Sequence, residues 1–401
     1  MVAKVLIWNI SFPLKDVGGP AGYLYNLHEY LKTNPCDKIV FLSDLLSDVD
    51  LTIGDKIEKN GLWRNIKNVF KIPFILELYT LYCFYFKRYK LPVELDLSDY
   101  EFIHFHVIFD LHKYSHIISK IKGNIIVTTH MPEPPFDEII DNCPHLKVIL
   151  RPFRSFFIKR EISFINRNNA IYLFPTKYSL EPYINSSIDY KSFFELHKNV
   201  ISYIPTAILD RDVLSYNDGY FAKYGVPDEA LTVLYIGRHN SVKGYDELQE
   251  IAKKVISLTD RVYFIIAGKE EPLKGLKHNQ WIELGWVSKS DEIISNSDLF
   301  ILPNRQTYFD LILLEVLRAG TPLLVSETGG NKLFINDFPS EERRGVFSYK
   351  SGNIDQAVNE ILNFDNSNDI SLRKSNRLLW SNNFRMKIFI DKYLKLLGYD
   401  A

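Results

Sequence analysis

Short apolar segments alternate with helical segments along the chain in two separate series, and this alternation restricts the possible folds more than any other feature. The first series of strands runs from Val2–Ile10 to Ala170–Pro175, and the second from Leu231–Ile236 to Gly345–Ser348. Strands that alternate with helices are typical of parallel sheets covered by helices. The sequence therefore predicts an α/β protein with two parallel-sheet domains.

The stretch Ser202–Gly225 separates the two series. It is rich in Pro, Asp, Tyr and Gly and has little hydrophobic periodicity. We therefore expect a Rossmann-like N-terminal domain over residues 1–205 and a Rossmann-like C-terminal domain over residues 206–383, with a last helical segment over residues 384–401.

Composition excludes several classes of protein. The chain has 401 residues with 48 Lys and Arg against 49 Asp and Glu, so no global positive field favours a nucleic-acid partner. The three cysteines lack the paired spacing of a disulfide framework or zinc site. The first ten residues, MVAKVLIWNI, have a strand pattern and lack the features of a signal peptide. We expect a cytoplasmic protein.

Ligands of open parallel sheets bind beyond the carboxyl ends of the strands, so the residues there are candidate site residues. Gly18 and Gly19 follow the first strand and open a helix, where glycines let a ligand approach the backbone and free N–H groups attract phosphate. They do not form the G-x-G-x-x-G fingerprint, which disfavours NAD. A plain strand-to-helix turn is the alternative interpretation.

Histidines follow or lie in two strands of the first series. His130 comes just after the strand Ile125–Thr129, where it can face a ligand or serve as a structural residue. His104 and His106 share one face of the preceding strand, since side chains alternate with a period of two. They have no neighbours at metal-ligand spacing, and we interpret at least one of them as packing.

Two cations and one carboxylate stand out in the second series. Arg238 and Lys243 lie in the loop after the strand Leu231–Ile236, and such a pair can neutralise a diphosphate. Glu315 is the one carboxylate within an apolar helix that begins near Leu311. It is either an exposed helix position or an acceptor of hydrogen bonds from a ligand diol such as ribose.

Five segments carry a family resemblance. They are GGPAGYLYNL, VTTHMP, YIGRHNSVKGYDEL, ELGWVSKSDEIISNSDLFILPNRQTYFDLILLEVLRAGTPLLVSETGG and FRMKIFIDKYLKLL. In this order they resemble a GT-B glycosyltransferase of the large retaining family called GT4. The resemblance implies two Rossmann-like domains that face a cleft, with the acceptor side in the first domain and the nucleotide-sugar site in the second. It also implies that the last helix returns to the first domain.

The resemblance assigns roles to the residues on the sugar diphosphate. Arg238 and Lys243 match the basic pair that holds the donor diphosphate, and both are candidate catalytic residues. Gly18 and Gly19 match the N-terminal loop that approaches the same phosphate. His130 matches a histidine that contacts the transferred sugar near the reacting carbon, and it is the third catalytic candidate.

The resemblance also assigns the nucleoside contacts. Glu315 matches the second glutamate of the E-x7-E motif, which binds the ribose. Trp286 and Val287 lie where the family holds the nucleobase, largely through the main chain.

The chain departs from the family at two positions of the donor-sugar segment. Thr307 replaces the first glutamate of E-x7-E, and Asp310 replaces the usual glycine. Either Asp310 supplies the missing carboxylate, or the donor sugar is unusual, or catalysis has been lost. Thr307, Asp310 and the neighbouring Phe309 and Leu311 are substrate-binding candidates.

The function implied is transfer of a sugar from a nucleotide-diphosphate sugar to a hydroxyl acceptor with retention of anomeric configuration, in the synthesis of surface polysaccharide, O-antigen or another glycan. The acceptor is a glycan or a lipid-linked compound. A UDP-sugar is the favoured donor, with GDP- or dTDP-sugars as alternatives, and no metal or other cofactor is required.

Two other functions remain open. One is a non-catalytic GT-B subunit that scaffolds a partner transferase or binds glycan, which Thr307 favours. The other is a GT-A transferase that binds a metal through Asp-x-Asp. The chain has such triplets at Asp48–Val49–Asp50 and Asp210–Arg211–Asp212, but triplets of this kind arise often by chance.

Two segments mix aromatic and basic residues. They are Phe70–Lys90 and Arg151–Arg167. Each can form a surface that binds an anionic bilayer, or a domain helix whose aromatic face is core. The first is too interrupted to span a bilayer, which takes about 20 apolar residues. The sequence thus predicts peripheral contact with the inner face of the cytoplasmic membrane.

Overall fold

Two six-stranded sheets, each with only parallel neighbours, organise the described part of the chain. The computed structural model describes residues 4–10, 19–46, 73–91, 96–119, 121, 123–167, 169–212, 214–217, 219–365 and 369–399. The chain divides into two units. Unit 1 comprises residues 1–15, 31–174 and 183–203, and unit 2 comprises residues 16–30, 175–182 and 204–401.

The sheet of unit 1 has the strand order β2-β1-β3-β4-β5-β6. Its strands are β1 (Val5–Trp8), β2 (Ile39–Phe41), β3 (Phe102–Phe105), β4 (Asn124–Val127), β5 (Ala170–Phe174) and β6 (Ile201–Tyr203). Val5 pairs with Ile39 on one side and with Phe102 on the other. Every residue of β1 and β3 is buried, as expected for central parallel strands covered on both faces.

Helices connect consecutive strands of this sheet along the chain. The helices up to residue 196 are α1 (Gly19–Thr33), α2 (Leu42–Leu45), α3 (Pro73–Tyr85), α4 (Ile108–Lys113), α5 (Ser115–Ile118), α6 (Pro135–Asp141), α7 (Pro144–Leu150), α8 (Arg154–Ile165), α9 (Glu181–Ser186) and α10 (Ile188–Leu196). Single 3₁₀ turns lie at Arg151–Phe153, Lys177–Leu180 and Lys198–Val200. None of the helices in the described ranges has the length and apolar character needed to cross a bilayer.

The sheet of unit 2 has the strand order β12-β11-β10-β7-β8-β9. Its strands are β7 (Leu231–Ile236), β8 (Val262–Ala267), β9 (Trp281–Gly285), β10 (Leu299–Leu302), β11 (Leu323–Ser326) and β12 (Val346–Tyr349). Its helices are α11 (Tyr245–Leu258), α12 (Ser290–Ser295), α13 (Leu311–Ala319), α14 (Lys332–Asn336), α15 (Ile354–Leu362), α16 (Asp369–Asn383) and α17 (Met386–Leu396), with 3₁₀ turns at Ala222–Tyr224 and Gly329–Asn331. One core joins the sheet to α11 and α15, through buried residues such as Leu248, Ile251 and Ile361.

Helix α1 up to Tyr30 belongs to unit 2 although it follows β1 in sequence. Asn26 Oδ1 accepts a hydrogen bond from Leu209 N at 2.9 Å, and the Tyr23 ring meets the Phe389 ring of α17 edge-on at 5.8 Å. Helix α17 thus contacts a helix that the expected first domain, residues 1–205, included. The boundaries after residues 205 and 383 and the return of the last helix stay predictions.

Several elements agree with the sequence analysis to the residue. Strands β7, β8 and β10 have the bounds that the apolar runs Leu231–Ile236, Val262–Ala267 and Leu299–Leu302 predict, and α13 begins at Leu311 as predicted. Strand β6 was not predicted, because its three residues are only half-buried or exposed and lie where the domain boundary was expected. The predicted α/β fold with two parallel sheets is confirmed.

Candidate functional site

Three loops of unit 2 meet at the carboxyl ends of β7, β10 and β11, where ligands of parallel sheets bind. Arg305 N and Gln306 N, in the loop after β10, both donate to Val242 O in the loop after β7, at 3.1 and 3.3 Å. Gly330 N, after β11, donates to Thr307 O at 3.2 Å. Backbone hydrogen bonds therefore fix the three loops to one another.

Gly244, the residue before α11, is required by the closeness of these loops. Its φ is +67°, and a Cβ atom at this position would lie 1.7 Å from Pro303 O. Only glycine adopts this conformation without strain and leaves room for the neighbouring carbonyl group. The glycine therefore holds Lys243 close to the loop that follows β10.

A Lys–Asp ion pair lies at the centre of the three loops. Lys243 Nζ is 2.5 Å from Asp310 Oδ1, and Asn304 Nδ2 donates to Asp310 Oδ2 at 2.5 Å. The side chains of Lys243 and Asp310 are 16% and 17% exposed, so solvent still reaches both. Burial alone would raise the pKa of Asp310, but the charges of Lys243 and Arg238 and both hydrogen bonds lower it below its ordinary value. Asp310 is therefore an anion at neutral pH.

Arg238 is exposed and acts on the same carboxylate, since its charge contributes to the lowered pKa of Asp310. The Tyr235 hydroxyl group donates to Arg238 O at 2.8 Å and fixes the backbone there. The structure thus brings together Arg238, Lys243 and Asp310, which the sequence analysis had placed in two separate segments. It adds Asn304, whose position two residues after the end of β10 was the available signal.

Glu315 lies on α13 and is half-buried, and it accepts a hydrogen bond from Ser290 Oγ at 3.4 Å. The burial of Glu315 thus lies between the two interpretations of the sequence, since the residue is neither fully exposed nor enclosed in the core.

Trp286 directly follows β9 and is 76% exposed, whereas Val287 is half-buried. Gly285 before them has φ +67°.

Three candidates of the donor-sugar segment are buried, which leaves little of their side chains for direct contact with a substrate. They are Thr307, Phe309 and Leu311. Thr307 is fully buried, and its hydroxyl group has no hydrogen-bond partner among the residues of the structure. Phe309 is 8% exposed and its ring lies 6.1 Å from the Phe334 ring. Asp310 is the member of this segment that pairs with Lys243, and the charge of Arg238 also lowers its pKa. The roles assigned to all these residues stay predictions.

His239 is a feature of this site that the sequence analysis missed. It is fully buried and its ring stacks on Tyr245 with a centroid distance of 3.9 Å and an interplanar angle of 8°. Burial lowers the pKa of His239, so the ring is neutral at neutral pH. The stack fixes His239, the residue next to Arg238, against the first turn of α11.

The three histidines that the sequence analysis singled out, His104, His106 and His130, form a stack at the ends of β3 and β4. His106 Nδ1 is 2.8 Å from His130 Nε2, His104 Nε2 is 2.8 Å from Thr128 Oγ1, and the rings of His104 and His106 are 4.0 Å apart. Burial lowers the pKa of His130 to about 3 and those of the other two well below the ordinary value. His130 also has φ +57°, which is rare outside glycine. The rings are neutral at physiological pH, and the catalytic role of His130 stays a prediction.

The remaining candidate positions are less informative. Gly19 is exposed at the start of α1 with φ +69°, and Gly18 lies outside the described residues. Of the two Asp-x-Asp triplets, Asp48–Val49–Asp50 also lies outside them. In the other triplet Asp210 pairs with Arg385 at 2.6 Å. Among the residues that the structure describes, no group of three or more His, Cys, Asp or Glu is placed to hold a metal ion.

Comparison with known proteins gives a family match for residues 230–364 of unit 2. The family described as glycosyl transferases group 1 has a sequence model that matches residues 230–364. Residues 230–364 form a group 1 glycosyltransferase domain. This group 1 domain contains Arg238, Lys243, Asp310 and Glu315, so all four lie in the part of the chain that the family covers. The predicted resemblance to a glycosyltransferase is confirmed at the level of group 1, and the retaining GT4 assignment stays a prediction.

Two curated proteins resemble part of the chain. A UDP-Gal:alpha-D-GlcNAc-diphosphoundecaprenol alpha-1,3-galactosyltransferase of Escherichia coli is 26% identical over 191 residues, which is 44% of this chain and 48% of that protein. An uncharacterized glycosyltransferase of Methanocaldococcus jannaschii is 25% identical over 136 residues, which is 31% of this chain and 33% of that protein. The chain therefore matches half or less of the length of these relatives.

Solved structures resemble almost the whole chain in fold. The Anabaena protein HepE in complex with UDP has a TM-score of 0.61 at 14% identity, covering 98% of this chain and 99% of its own. A sucrose-phosphate synthase of Thermosynechococcus elongatus has a TM-score of 0.60 at 14% identity, covering 99% and 98%. At this identity the likeness shows the fold alone, which is the GT-B fold of two parallel α/β sheets.

Proposed function

We propose that this protein transfers a sugar from a nucleoside-diphosphate sugar to a hydroxyl acceptor, with retention of the anomeric configuration. The observation that carries the proposal is the position of Arg238 and Lys243 in one loop at the carboxyl end of β7, with Lys243 joined to Asp310 in the loop after β10, within the group 1 domain. An exposed guanidinium and a partly exposed ammonium group suit a diphosphate, which offers oxygens to both. Glu315, at the same end of the sheet, is assigned to the ribose, and the main chain at Trp286 and Val287 to the base.

A UDP-sugar is the preferred donor in this proposal. The support comes from the names of similar proteins, since the Escherichia coli relative is named for UDP-Gal and HepE has been described with UDP-glucose. GDP- and dTDP-sugars remain alternatives. The proposal includes no cofactor.

Asp310 has a specific role in the proposal. Before the donor binds, its carboxylate holds Lys243 at 2.5 Å. A diphosphate that binds Lys243 competes with this carboxylate, which is then available to accept a hydrogen bond from a hydroxyl group of the donor sugar. Asp310 thus replaces the carboxylate that relatives carry at the position of Thr307, a residue whose own side chain is buried.

The chemical step breaks the bond between the anomeric carbon and the diphosphate oxygen and forms a bond from that carbon to the acceptor oxygen. The acceptor approaches from the face that the diphosphate leaves, and its proton passes to a departing phosphate oxygen. Arg238 and Lys243 stabilise the charge that develops on the leaving group, and their fixed positions reduce the reorganisation required. Since the departing phosphate takes the proton, the mechanism assigns no side chain as general base.

The acceptor is proposed to be a glycan or a lipid-linked glycan in the synthesis of a surface polysaccharide or O-antigen. The support is the name of the Escherichia coli relative, whose acceptor is a sugar diphosphoundecaprenol. Such an acceptor lies in a membrane, and a peripheral position on the cytoplasmic membrane is therefore part of the proposal.

The test is a thermal-shift series with UDP, GDP and dTDP for the wild type, Lys243→Ala and Glu315→Ala. A nucleotide at 100 times its Kd stabilises the folded protein by about 2.7 kcal/mol. We expect UDP to stabilise the wild type and neither variant. Lys253→Ala is the matched control, because Lys253 is an exposed lysine of α11 that pairs only locally with Glu250. A response of both site variants equal to that of the control would refute the donor site.

A second candidate function is a non-catalytic subunit that scaffolds a partner transferase or binds glycan. Two observations favour it. Thr307 is buried where relatives have a carboxylate, and Lys243 already forms an ion pair with Asp310. The two functions differ in turnover. Release of UDP from UDP-sugars in the presence of acceptor, and loss of this release in Asp310→Asn, supports the enzyme. UDP binding without release from any donor supports the subunit.

A further inference from the structure

Helix α3 exposes apolar side chains and turns its charge inward. Ile75, Leu76, Leu78 and Tyr82 are 38–50% exposed, whereas Leu81 and Tyr85 are buried. An ordinary surface helix of a globular protein has the reverse arrangement, with its apolar stripe on the core. The outer side of α3 is therefore suited to a partner with apolar character rather than to water.

Glu77, the only charged residue of α3, shows that this arrangement is specific. Its carboxylate accepts hydrogen bonds from Leu146 N at 2.9 Å and from the His145 ring nitrogen Nδ1 at 2.6 Å. It thereby satisfies N–H groups at the start of α7, and its side chain is 11% exposed. The one charged group of α3 thus joins α3 to α7.

The apolar surface continues from α3 across α7 and α8. Val148 is 82% exposed, and Phe153 and Phe156 are 56% and 55% exposed. At the other end of α3 the Arg160 guanidinium lies 4.5 Å from the centre of the Phe86 ring. We call this continuous surface the α3–α8 face, and its exposed apolar residues are Ile75, Leu76, Leu78, Tyr82, Phe86, Val148, Ile149, Phe153 and Phe156.

The charge of the α3–α8 face is strongly asymmetric. Residues 73–91 and 142–160 contain eight Lys and Arg and one carboxylate, the inward-facing Glu77, although the whole chain has 48 cations and 49 carboxylates. Arg88 and Arg151 are exposed. Three of the other cations, Lys147, Arg154 and Lys159, have carboxylates from neighbouring helices within 4 Å. An excess of positive charge therefore surrounds the exposed apolar residues.

We propose that the α3–α8 face docks on an anionic lipid bilayer. Apolar and aromatic side chains that protrude among cations match the boundary between acyl chains and negatively charged headgroups. A second copy of this chain fits less well, because a twofold contact through this face would bring its cations against the same cations. This proposal identifies the residues that would make the membrane contact proposed above. It rests on the proposed function only for its purpose, because docking would bring unit 1 to a lipid-linked acceptor.

The test is co-sedimentation of the full chain with vesicles of phosphatidylcholine alone and of equal parts phosphatidylcholine and phosphatidylglycerol. We expect binding to the mixed vesicles that weakens as salt is added. Arg88→Glu combined with Arg151→Glu, and separately Val148→Asp combined with Phe153→Asp, are each expected to lower partitioning at least about tenfold. Ile370→Asp and Lys374→Glu, exposed positions on α16 of unit 2, are the matched controls and should bind as the wild type does.

Three results would overturn the docking proposal. They are a wild type that stays in the supernatant with both vesicles, site variants that bind as well as the controls, and a wild type that self-associates through Val148 and Phe153 without binding lipid. Thermal melting of every variant verifies folding, since exposed substitutions usually change stability by less than about 0.5 kcal/mol. The vesicle assay needs no donor, so docking and the proposed sugar transfer can fail independently.

Discussion

Glu161 of α8 makes the stability of unit 1 depend on pH. Its side chain is fully buried and accepts hydrogen bonds from the hydroxyl groups of Tyr85 and, at 2.8 Å, of Tyr190. Burial raises the pKa of Glu161 from 4.5 to about 8, although both hydrogen bonds lower it. The folded protein thus keeps a proton on Glu161 that the unfolded chain has released at neutral pH.

The sign of the effect follows from proton binding. Between the two pKa values the folded state binds more protons than the unfolded state, so the free energy of unfolding falls as the pH rises. A shift from 4.5 to about 8 corresponds to a loss of about 3.5 kcal/mol between about pH 5 and about pH 8. In a unit of this size that loss lowers Tm by about 10 °C.

The perturbation is Glu161→Gln, which removes the titrating group and keeps the shape. We expect the wild type to lose stability relative to this variant as the pH rises, and the difference to level off above the folded pKa. Differential scanning calorimetry across the pH range measures it. Glu195→Gln is the matched control, because Glu195 is an exposed carboxylate of α10 in the same unit. Parallel stability curves for wild type and Glu161→Gln would refute the reasoning.

Two further substitutions test the packing of unit 2. Gly244→Ala places a Cβ atom 1.7 Å from a backbone oxygen at φ +67°, so we expect a loss of more than about 3 kcal/mol in urea unfolding, together with loss of UDP binding. Gly352→Ala is its control, since Gly352 has φ +85° with open space around it, and should cost only about 1–2 kcal/mol. Arg373→Leu removes a guanidinium that donates to two backbone carbonyl groups and pairs with a carboxylate, so it should cost about 3–5 kcal/mol. Arg385→Leu, which removes an exposed ion pair, should cost less than about 1 kcal/mol, and equal losses would contradict the argument.

The fold of unit 2 could be predicted closely from the sequence. Strands β7, β8 and β10 are nearly continuous apolar runs, as central parallel strands are, and polar or glycine-containing loops follow them. Unit 1 was predicted less completely. Helices α7 and α8 expose part of their apolar residues, so the hydrophobic pattern that marks an ordinary surface helix is weak in them.

The site was predictable in its residues but not in its contacts. Arg238 and Lys243 were candidates because they follow the strand Leu231–Ile236. Asp310 was a candidate because it lies within the segment of the E-x7-E motif. Their meeting could not be read from sequence, because the Lys243–Asp310 pair joins residues 67 positions apart. The burial of Thr307 was also hidden, since a motif identifies a position but not the packing around it. In the same way nothing near Glu77 in sequence indicates that its partners are His145 and Leu146.

The placement of α1 in unit 2 has a consequence for synthesis of the chain. A ribosome completes α1 well before Leu209, whose N–H group its Asn26 accepts across 183 residues, and long before Phe389, on which its Tyr23 packs. These contacts of α1 within unit 2 therefore form only after residues 209 and 389 have been synthesised. A fragment that starts at residue 204 would leave the Leu209 N–H group and the Phe389 ring without these α1 partners.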